Sequence, residues 1–353
     1  MAARIIRAPM QAPHAPNQQP ATLRVAYSTD ALATLLADPT LLAVFGFGDH
    51  APPSHPDPRY LHVALPAHGP APLECWFGAG PVCHGHEDDI SWSADGGLQF
   101  GWIEITEHGN ADGGDTGDIE SATAQAYTRL YTWLARSDHP HPLRLWNYMD
   151  AITEGDGDAE RYRRFCVGRA RGIREALGRD LDPGELPAAT AIGHPRVTGR
   201  FQLYWLAARE AGTPVENPRQ TQAWRYPRQY GPQAPGFARA MLPPAEACMP
   251  LLLSGTAAVV GHASQHGHSL VSQLDEILAN LDSLIGSARM QRPGLPAHAG
   301  QDARLKVYVR DADALAGVVE MLDARLPPEV LRIVLHGTVC RPELAVEIDG
   351  VHG

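Results

Sequence analysis

The sequence predicts an α+β fold built from two copies of one plan, each a mixed β-sheet with two helices packed on one face. Two observations carry this. Residues 251–351 run strand, helix, strand, helix, strand, strand, and residues 75–207 run through the same order with a strand pair in place of the single opening strand. The chain, at 353 residues, also exceeds what a single hydrophobic core usually serves, so two units are expected.

The second copy is the clearer one. Residues 251–260 (LLLSGTAAVV) are an apolar run of strand length. In 270–285, Leu270, Leu274, Ile277, Leu278, Leu281 and Ile285 fall on one helical face. Residues 304–310 (RLKVYVR) alternate as a strand, and 313–325 reads as a helix capped by Asp311 or Asp313. Closing strands are expected at 331–340 and 343–351. The first copy is expected to place a strand pair near 75–78 and 97–105, helices at 119–136 and 159–177 around a strand at 142–149, and strands near 187–194 and 200–207. The acidic, glycine-rich stretches 109–117 and 153–158 read as loops.

The expected organisation is a disordered arm over 1–21, an N-terminal domain over 22–212, a joining segment over 213–247 and a C-terminal domain over 248–353. The joining segment is rich in Pro, Arg, Tyr and Gln and longer than a plain connection needs. Long segments of this kind in compact proteins are usually binding loops, so part of the active site is expected there.

Composition narrows the function classes. Hydrophobic residues are 44% and no apolar run approaches the roughly 20 residues of a membrane span, which implies a globular chain. The first twenty residues lack the basic-then-apolar order of a secretory signal, so a cytoplasmic location is expected. Five cysteines without CxxC spacing argue against a disulfide framework or a structural zinc site. A formal charge of −11 disfavours nucleic acid and acidic lipid as partners. Neither GxGxxG nor GxxxxGK[ST] occurs, and the histidine tracts CHGHEDD (83–89) and HASQHGH (262–268) lack the helical spacing of a zinc site; no cofactor and no metal are expected.

The second half resembles the RidA/YjgF fold through SGTAAV, QLDEILANLDSLI, LKVYVRDADAL and ELAVEIDGV. The whole chain more specifically resembles the FkbO-like chorismatase branch of that fold. That resemblance is carried by WNYMDAI (146–152), ERYRRFCVGR (160–169), LPAATAIG (186–193), ENPRQTQAWRYPRQYGPQAPGFARA (216–240), LLLSGTAAVVG (251–261) and VCRPELAVEIDG (339–350). It implies chorismate as the small-molecule substrate, and pyruvate plus 3-hydroxybenzoate as products, with 4-hydroxybenzoate open as a second product. Cys340 stands where hydroxybenzoate-forming members, including those of the xanthomonadin pigment pathway, carry a cysteine. RidA proteins are trimers, so a homo-oligomer or a monomer that satisfies part of that interface internally are both open.

Glu347 lies in a stretch reading L-A-V-E-I, where Ala345, Glu347 and Asp349 share one strand face. On residues alone this is as readily a solvated face. The resemblance places Glu347 in a cleft as the acid that protonates the CH₂ carbon of the enol ether. Burial must then raise its pKa against the effect of nearby arginines. Cys340, by default a small buried apolar residue, is moved into the site by the resemblance, with a steering role and no covalent one. The substrate's two carboxylates call for guanidinium groups, and Arg239, Arg310 and Arg341 are the candidates, with Tyr226 and Tyr230 as further contacts. Arg332 is left aside because a one-residue slip of its strand would turn it away. Gly255, in SGT, offers close backbone approach beside a strand.

The family mechanism implied has the substrate's own 4-hydroxyl attack C3 as pyruvate leaves, giving an arene oxide that opens to the aromatic ring. The rival within enzymes is hydrolysis to a cyclohexadiene diol. The rival of another class is a non-catalytic binder or an imine deaminase of the RidA type, against which the long 213–247 segment speaks.

Overall fold

The computed structural model describes residues 21–107 and 118–353. The arm expected at 1–21 falls outside them save for its last residue, as does the loop expected at 109–117.

A four-stranded sheet comes first: β1 (Arg24–Ser28), β2 (Leu41–Phe47), β3 (Tyr60–Val63) and β4 (Leu73–Phe77), in the order β1-β4-β2-β3, with the short helix α1 (Leu32–Leu36) after β1. Next is a six-stranded sheet of β5 (Cys83–Glu87), β6 (Ile90–Ala94), β7 (Leu98–Thr106), β8 (His141–Asp150), β9 (Ala188–His194) and β10 (Arg200–Ala208), in the order β5-β6-β7-β10-β8-β9. Its helices are α2 (Ile119–Ala135) and α3 (Arg161–Leu177). The second six-stranded sheet holds β11 (Thr213–Val215), β12 (Ala240–Leu242), β13 (Leu251–Ala257), β16 (Arg304–Val309), β17 (Leu331–His336) and β18 (Val346–His352). Its order is β11-β12-β13-β18-β16-β17, with α4 (Leu270–Gln291), α5 (Leu315–Asp323) and a small hairpin of β14 (Val259–Val260) and β15 (Ala263–Ser264). Position by position the two large sheets have the same order, with one parallel pair each, β8 with β9 and β16 with β17.

The helices start and stop where local chemistry dictates. Asp118 caps α2 by accepting from the backbone of Glu120 and Ser121, and Gly178, at φ 71°, ends α3 in the left-handed region. Strand alternation then sorts side chains between two layers. In β18, Val346 and Ile348 join the core beneath α4 and α5, while Val351 points the other way. In β10, Phe201, Leu203 and Trp205 face α2 and α3, while Tyr204 and Leu206 face away. These outward faces meet in a central core fed by all three sheets: Phe45 and Trp76 from the small sheet, Phe100, Trp146 and Tyr204 from the first large one, Leu252, Leu335 and Val351 from the second. At about 1.5–3 kcal/mol per fully buried large apolar side chain, this core is the main force holding the sheets together.

Three expectations are corrected. The strands near 75–78 and 97–105 do not pair, because β4 belongs to the small sheet and β7 to the first large one. The opening pair of the first copy is β5 and β6, and the CHGHE stretch forms the exposed edge strand β5. The second copy also has its opening pair, β11 and β12, at the two ends of the segment read as a joining one. No helix among the described residues is long and apolar enough to cross a membrane.

Candidate active site

The two large sheets touch where β9 reaches the second copy. Gly193 and Thr338 exchange backbone hydrogen bonds of 2.8 Å in both directions. The Ser254 hydroxyl accepts from Ala189 N at 2.9 Å and donates to Ala238 O at 2.6 Å. Beside this seam lies a cavity of about 300 Å³. Its walls come from β8 and β9 (Asn147, Thr190), from α3 (Tyr162, Arg163, Arg169), from the 216–239 segment (Gln220, Tyr226, Tyr230, Phe237, Arg239), from β13 (Gly255) and from the C-terminal turn and strand (Cys340, Arg341, Glu347).

Of the residues proposed from sequence, Glu347, Cys340, Arg239, Tyr226, Tyr230, Arg341 and Gly255 line this one cavity. Arg310 does not. Its guanidinium is taken up by three backbone carbonyls, those of Val339, Arg341 and Leu344, at 2.6 to 2.9 Å. It is therefore the strut of the 337–345 turn, because a chain bend of that length leaves carbonyls that a half-buried fork of N–H donors can satisfy. Cys340 also sits on this turn and not on the expected strand, since β17 ends at His336. Arg332 pairs with Asp323, outside the cavity.

Glu347 is 5% exposed. Burial raises its pKa to about 8; the negative charge of Asp349 on the same strand face adds to this, while Arg144 and Arg239 oppose it. Among the described residues none hydrogen-bonds its carboxyl, which leaves both oxygens for the cavity. The Cys340 thiol is pushed up to about 12 by burial first and by Glu347 second, so it is neutral and no thiolate nucleophile.

Cations surround these groups. Arg239, buried, donates to Thr221 O at 2.9 Å and to the Tyr226 hydroxyl at 2.7 Å, and its Nε has no partner among the described residues. Arg341 donates to His262 O and the Ser264 hydroxyl, and its guanidinium lies 4.2 Å from the Tyr230 ring centroid and 5.3 Å from that of Tyr226. Such stacking holds a guanidinium flat with its remaining edge free for a carboxylate. Arg169 donates to Gly236 O, and Arg163 pairs with Glu160. With Arg163, Arg169, Arg239 and Arg341 facing Glu160, Glu343 and a Glu347 held protonated, the cavity favours an anion.

Tyr162, Arg163, Arg169, Thr190, Gln220 and Phe237 were missed as individual residues. For Tyr162 and Arg169 a signal is present in α3, where Tyr162, Phe165 and Arg169 follow the i, i+3, i+7 spacing of one helical face and line the cavity together.

Gly255 sits at a bulge, where three steps along β13 from Leu253 to Thr256 match two steps along β18. A Cβ there would overlap Glu347 Oε1 and lie 3.3 Å from Thr190 Oγ1. Gly255→Ala is accordingly expected to fold but to displace the carboxyl, lowering kcat about tenfold, the effect of roughly 1.4 kcal/mol in the barrier. An unaltered kcat in the folded variant would show that Gly255 does not set the position of the Glu347 carboxyl.

The family description "Chorismatase FkbO/Hyg5-like, N-terminal" matches residues 74–207. A protein of Streptomyces rapamycinicus named chorismatase is 37% identical over 286 residues, 79% of this chain and 81% of its own length. A Streptomyces hygroscopicus protein named 3-hydroxybenzoate synthase is 34% identical over 79% of this chain and 80% of its own. A crystal structure titled as a chorismatase superposes on 94% of this chain and 98% of its own, at 32% identity and a TM-score of 0.79.

Proposed function

Because the chain belongs to the chorismatase family, we propose that it converts chorismate to 3-hydroxybenzoate and pyruvate, with Glu347 delivering the first proton. The observation that carries the chemical assignment is a buried carboxyl with a pKa of about 8 and free oxygens, in a cavity rich in arginine.

Arg239 and Arg341 take the two carboxylates, and Tyr226, Tyr230 and Phe237 flank the ring. Glu347 protonates the CH₂ carbon of the enol ether, which turns the ether carbon into an oxocarbenium ion and makes pyruvate a good leaving group. As the C3–O bond breaks, the 4-hydroxyl oxygen bonds to C3, and its proton returns to the Glu347 carboxylate. The C4–O bond of the resulting oxide then opens, the oxygen gains a proton, and loss of the hydrogen on C3 completes the aromatic ring. No water is consumed. Hydrolysis would consume one, and it would require water to reach the developing cation.

Cys340 packs against both helix-side cores at the floor of the turn, where a neutral thiol fills space beside the acid. In this reading it biases the opening of the oxide and keeps water out. Cys340→Ala is therefore expected to change the product ratio more than the rate of chorismate loss, with 3-hydroxybenzoate falling and 4-hydroxybenzoate or the diene diol rising. An activated nucleophile would instead lose turnover altogether, and a packing residue would lose only melting temperature. Chromatography of complete conversions, with a melting curve for each protein, separates these outcomes.

The reading itself is tested by incubating the purified chain with chorismate and following the ultraviolet spectrum. An aromatic product together with one equivalent of pyruvate is the expected result. A diene would favour hydrolysis, and no change would favour a binder.

A further inference from the structure

Between the cavity and the central core lies a set of four buried charges, one or two from each sheet. Asp349 of β18 is 0% exposed, and its Oδ2 accepts from Arg144 of β8 at 2.9 Å, from Thr190 of β9 at 2.8 Å and from Tyr308 of β16 at 3.1 Å. Its Oδ1 lies 3.7 Å from Lys306 Nζ and accepts no hydrogen bond among the described residues. Lys306 in turn holds both oxygens of Glu74, in the small sheet, at 2.9 Å. Two carboxylates and two cations make the set neutral, and Thr190, a wall of the cavity, is its point of contact with the site.

We propose that Asp349 is a positioning residue for the reaction: by engaging Arg144 and by placing a fixed negative charge on the strand face of Glu347, it keeps the Glu347 carboxyl in its acid form. The proposal rests on Glu347 being the acid. With Arg144 and Lys306 already matched by Asp349 and Glu74, the set offers a further carboxylate no unmatched cation, so it does little to offset the cost of ionising Glu347 in a medium of low polarity. The other groups facing Glu347 do not reverse this. Cys340 and Arg341 come from the 337–345 turn, Tyr162 from α3 and Arg239 from the 216–239 segment. The cysteine and the tyrosine are neutral, and Arg239, like Arg144, favours the ionised form but is outweighed by burial and Asp349. Of the more distant charges in the lining, Arg163 pairs with Glu160, while Arg169 donates to Gly236 O and Glu343 accepts from Ser264. Tyr27, Tyr148 and Tyr308, near Asp349, are held neutral by burial. The raised pKa of Glu347, owed to burial first and to Asp349 second, agrees.

The readout is the alkaline limb of kcat/KM, which reports the free enzyme's acid. Removing a negative charge should move the limb to lower pH and removing a positive one to higher pH. Asp349→Asn is expected to lower it by about one pH unit or more, Glu74→Gln to lower it by less, and Arg144→Gln to raise it. A merely structural role would not give opposite signs. A limb unmoved in a folded Asp349→Asn, or moved the same way by Asp349→Asn and Arg144→Gln, overturns the proposal. Glu74 lies outside the cavity lining, so Glu74→Gln decides should Asp349→Asn not fold, and an unmoved limb there overturns the proposal as well. An active Glu347→Gln would remove the acid assignment itself, whereas an inactive one with unmoved limbs removes only the role of Asp349.

Discussion

Glu347→Gln is expected to fold, to bind chorismate and to turn it over at least about 100-fold more slowly, the lower end of what a positioned general acid contributes. The amide matches the carboxyl in size but has no proton to give. Retention of more than about a tenth of the wild-type rate would mean that another group protonates the enol ether. The pH dependence of the wild type follows from the same group. Only the protonated form acts, and it persists up to a pH of about 8, so kcat/KM should fall tenfold per pH unit above that value. Stability should respond with the opposite benefit. Because the folded pKa is raised above the ordinary glutamate value of 4.5, the charged form is penalised in the folded state. The penalty is absent below pH 4.5, grows as pH rises toward about 8 and is complete above it. Each pH unit of that window corresponds to about 1.4 kcal/mol. The glutamine variant escapes this penalty, so under mildly alkaline conditions it should melt at a higher temperature than the wild type while being almost inactive. A lower melting temperature would show that the buried carboxyl stabilises the fold.

Arg239→Lys should raise KM for chorismate roughly 10- to 100-fold, since a charge-assisted bond to a carboxylate is worth about 1.5–3 kcal/mol. The lysine keeps the charge. It cannot donate at once to Thr221 O and Tyr226 while offering an edge to the substrate, as the buried guanidinium can. Because a cation near Glu347 is retained, kcat should change far less than KM. An unchanged KM would remove Arg239 from the site, and a collapse of kcat at constant KM would reassign it to the transition state.

The strand that carries Glu347 was legible because alternation is a local property: L-A-V-E-I puts Glu347 opposite Val346 and Ile348, and those two residues do enter the helix-side core. The residues of 216–240 were legible as a group because so polar and long a connection needs a use. Its strands were not, since β11 and β12 have three residues each and their pairing spans 25 or more positions. The small sheet went unread for a similar reason. Its strand β2, LLAVFGF, is buried along its whole length, but the proline-rich stretch between β2 and β4 hides the pairing that gives it a sheet. Arg310 and Arg341 look alike in sequence, each a lone arginine at a strand end. Only the carbonyls that Arg310 meets, brought there by the turn, distinguish this strut from Arg341, which lines the cavity. The charges of the central set were equally opaque. Glu74 in LECWF, Arg144 in HPLRLW, Lys306 in RLKVYV and Asp349 in VEIDG each read as the polar side of an exposed strand.

That central set has a kinetic consequence. Glu74 and Lys306 are separated by 232 positions in the chain and Arg144 and Asp349 by 205. Contacts of such high order close after local hairpins and helices have formed, because the entropy of the intervening loops opposes them until neighbouring surfaces have already docked. Hairpins such as β5 with β6, and the packing of α2 on α3, involve far shorter closures and can precede them. In a collapsed chain whose sheets have formed but not met, Glu347 is hydrated, ionised at neutral pH and without its arginines. Acquisition of activity should therefore lag behind acquisition of secondary structure during refolding and coincide with the burial of Trp146 in the central core, so that the last step of folding is also the step that arms the acid.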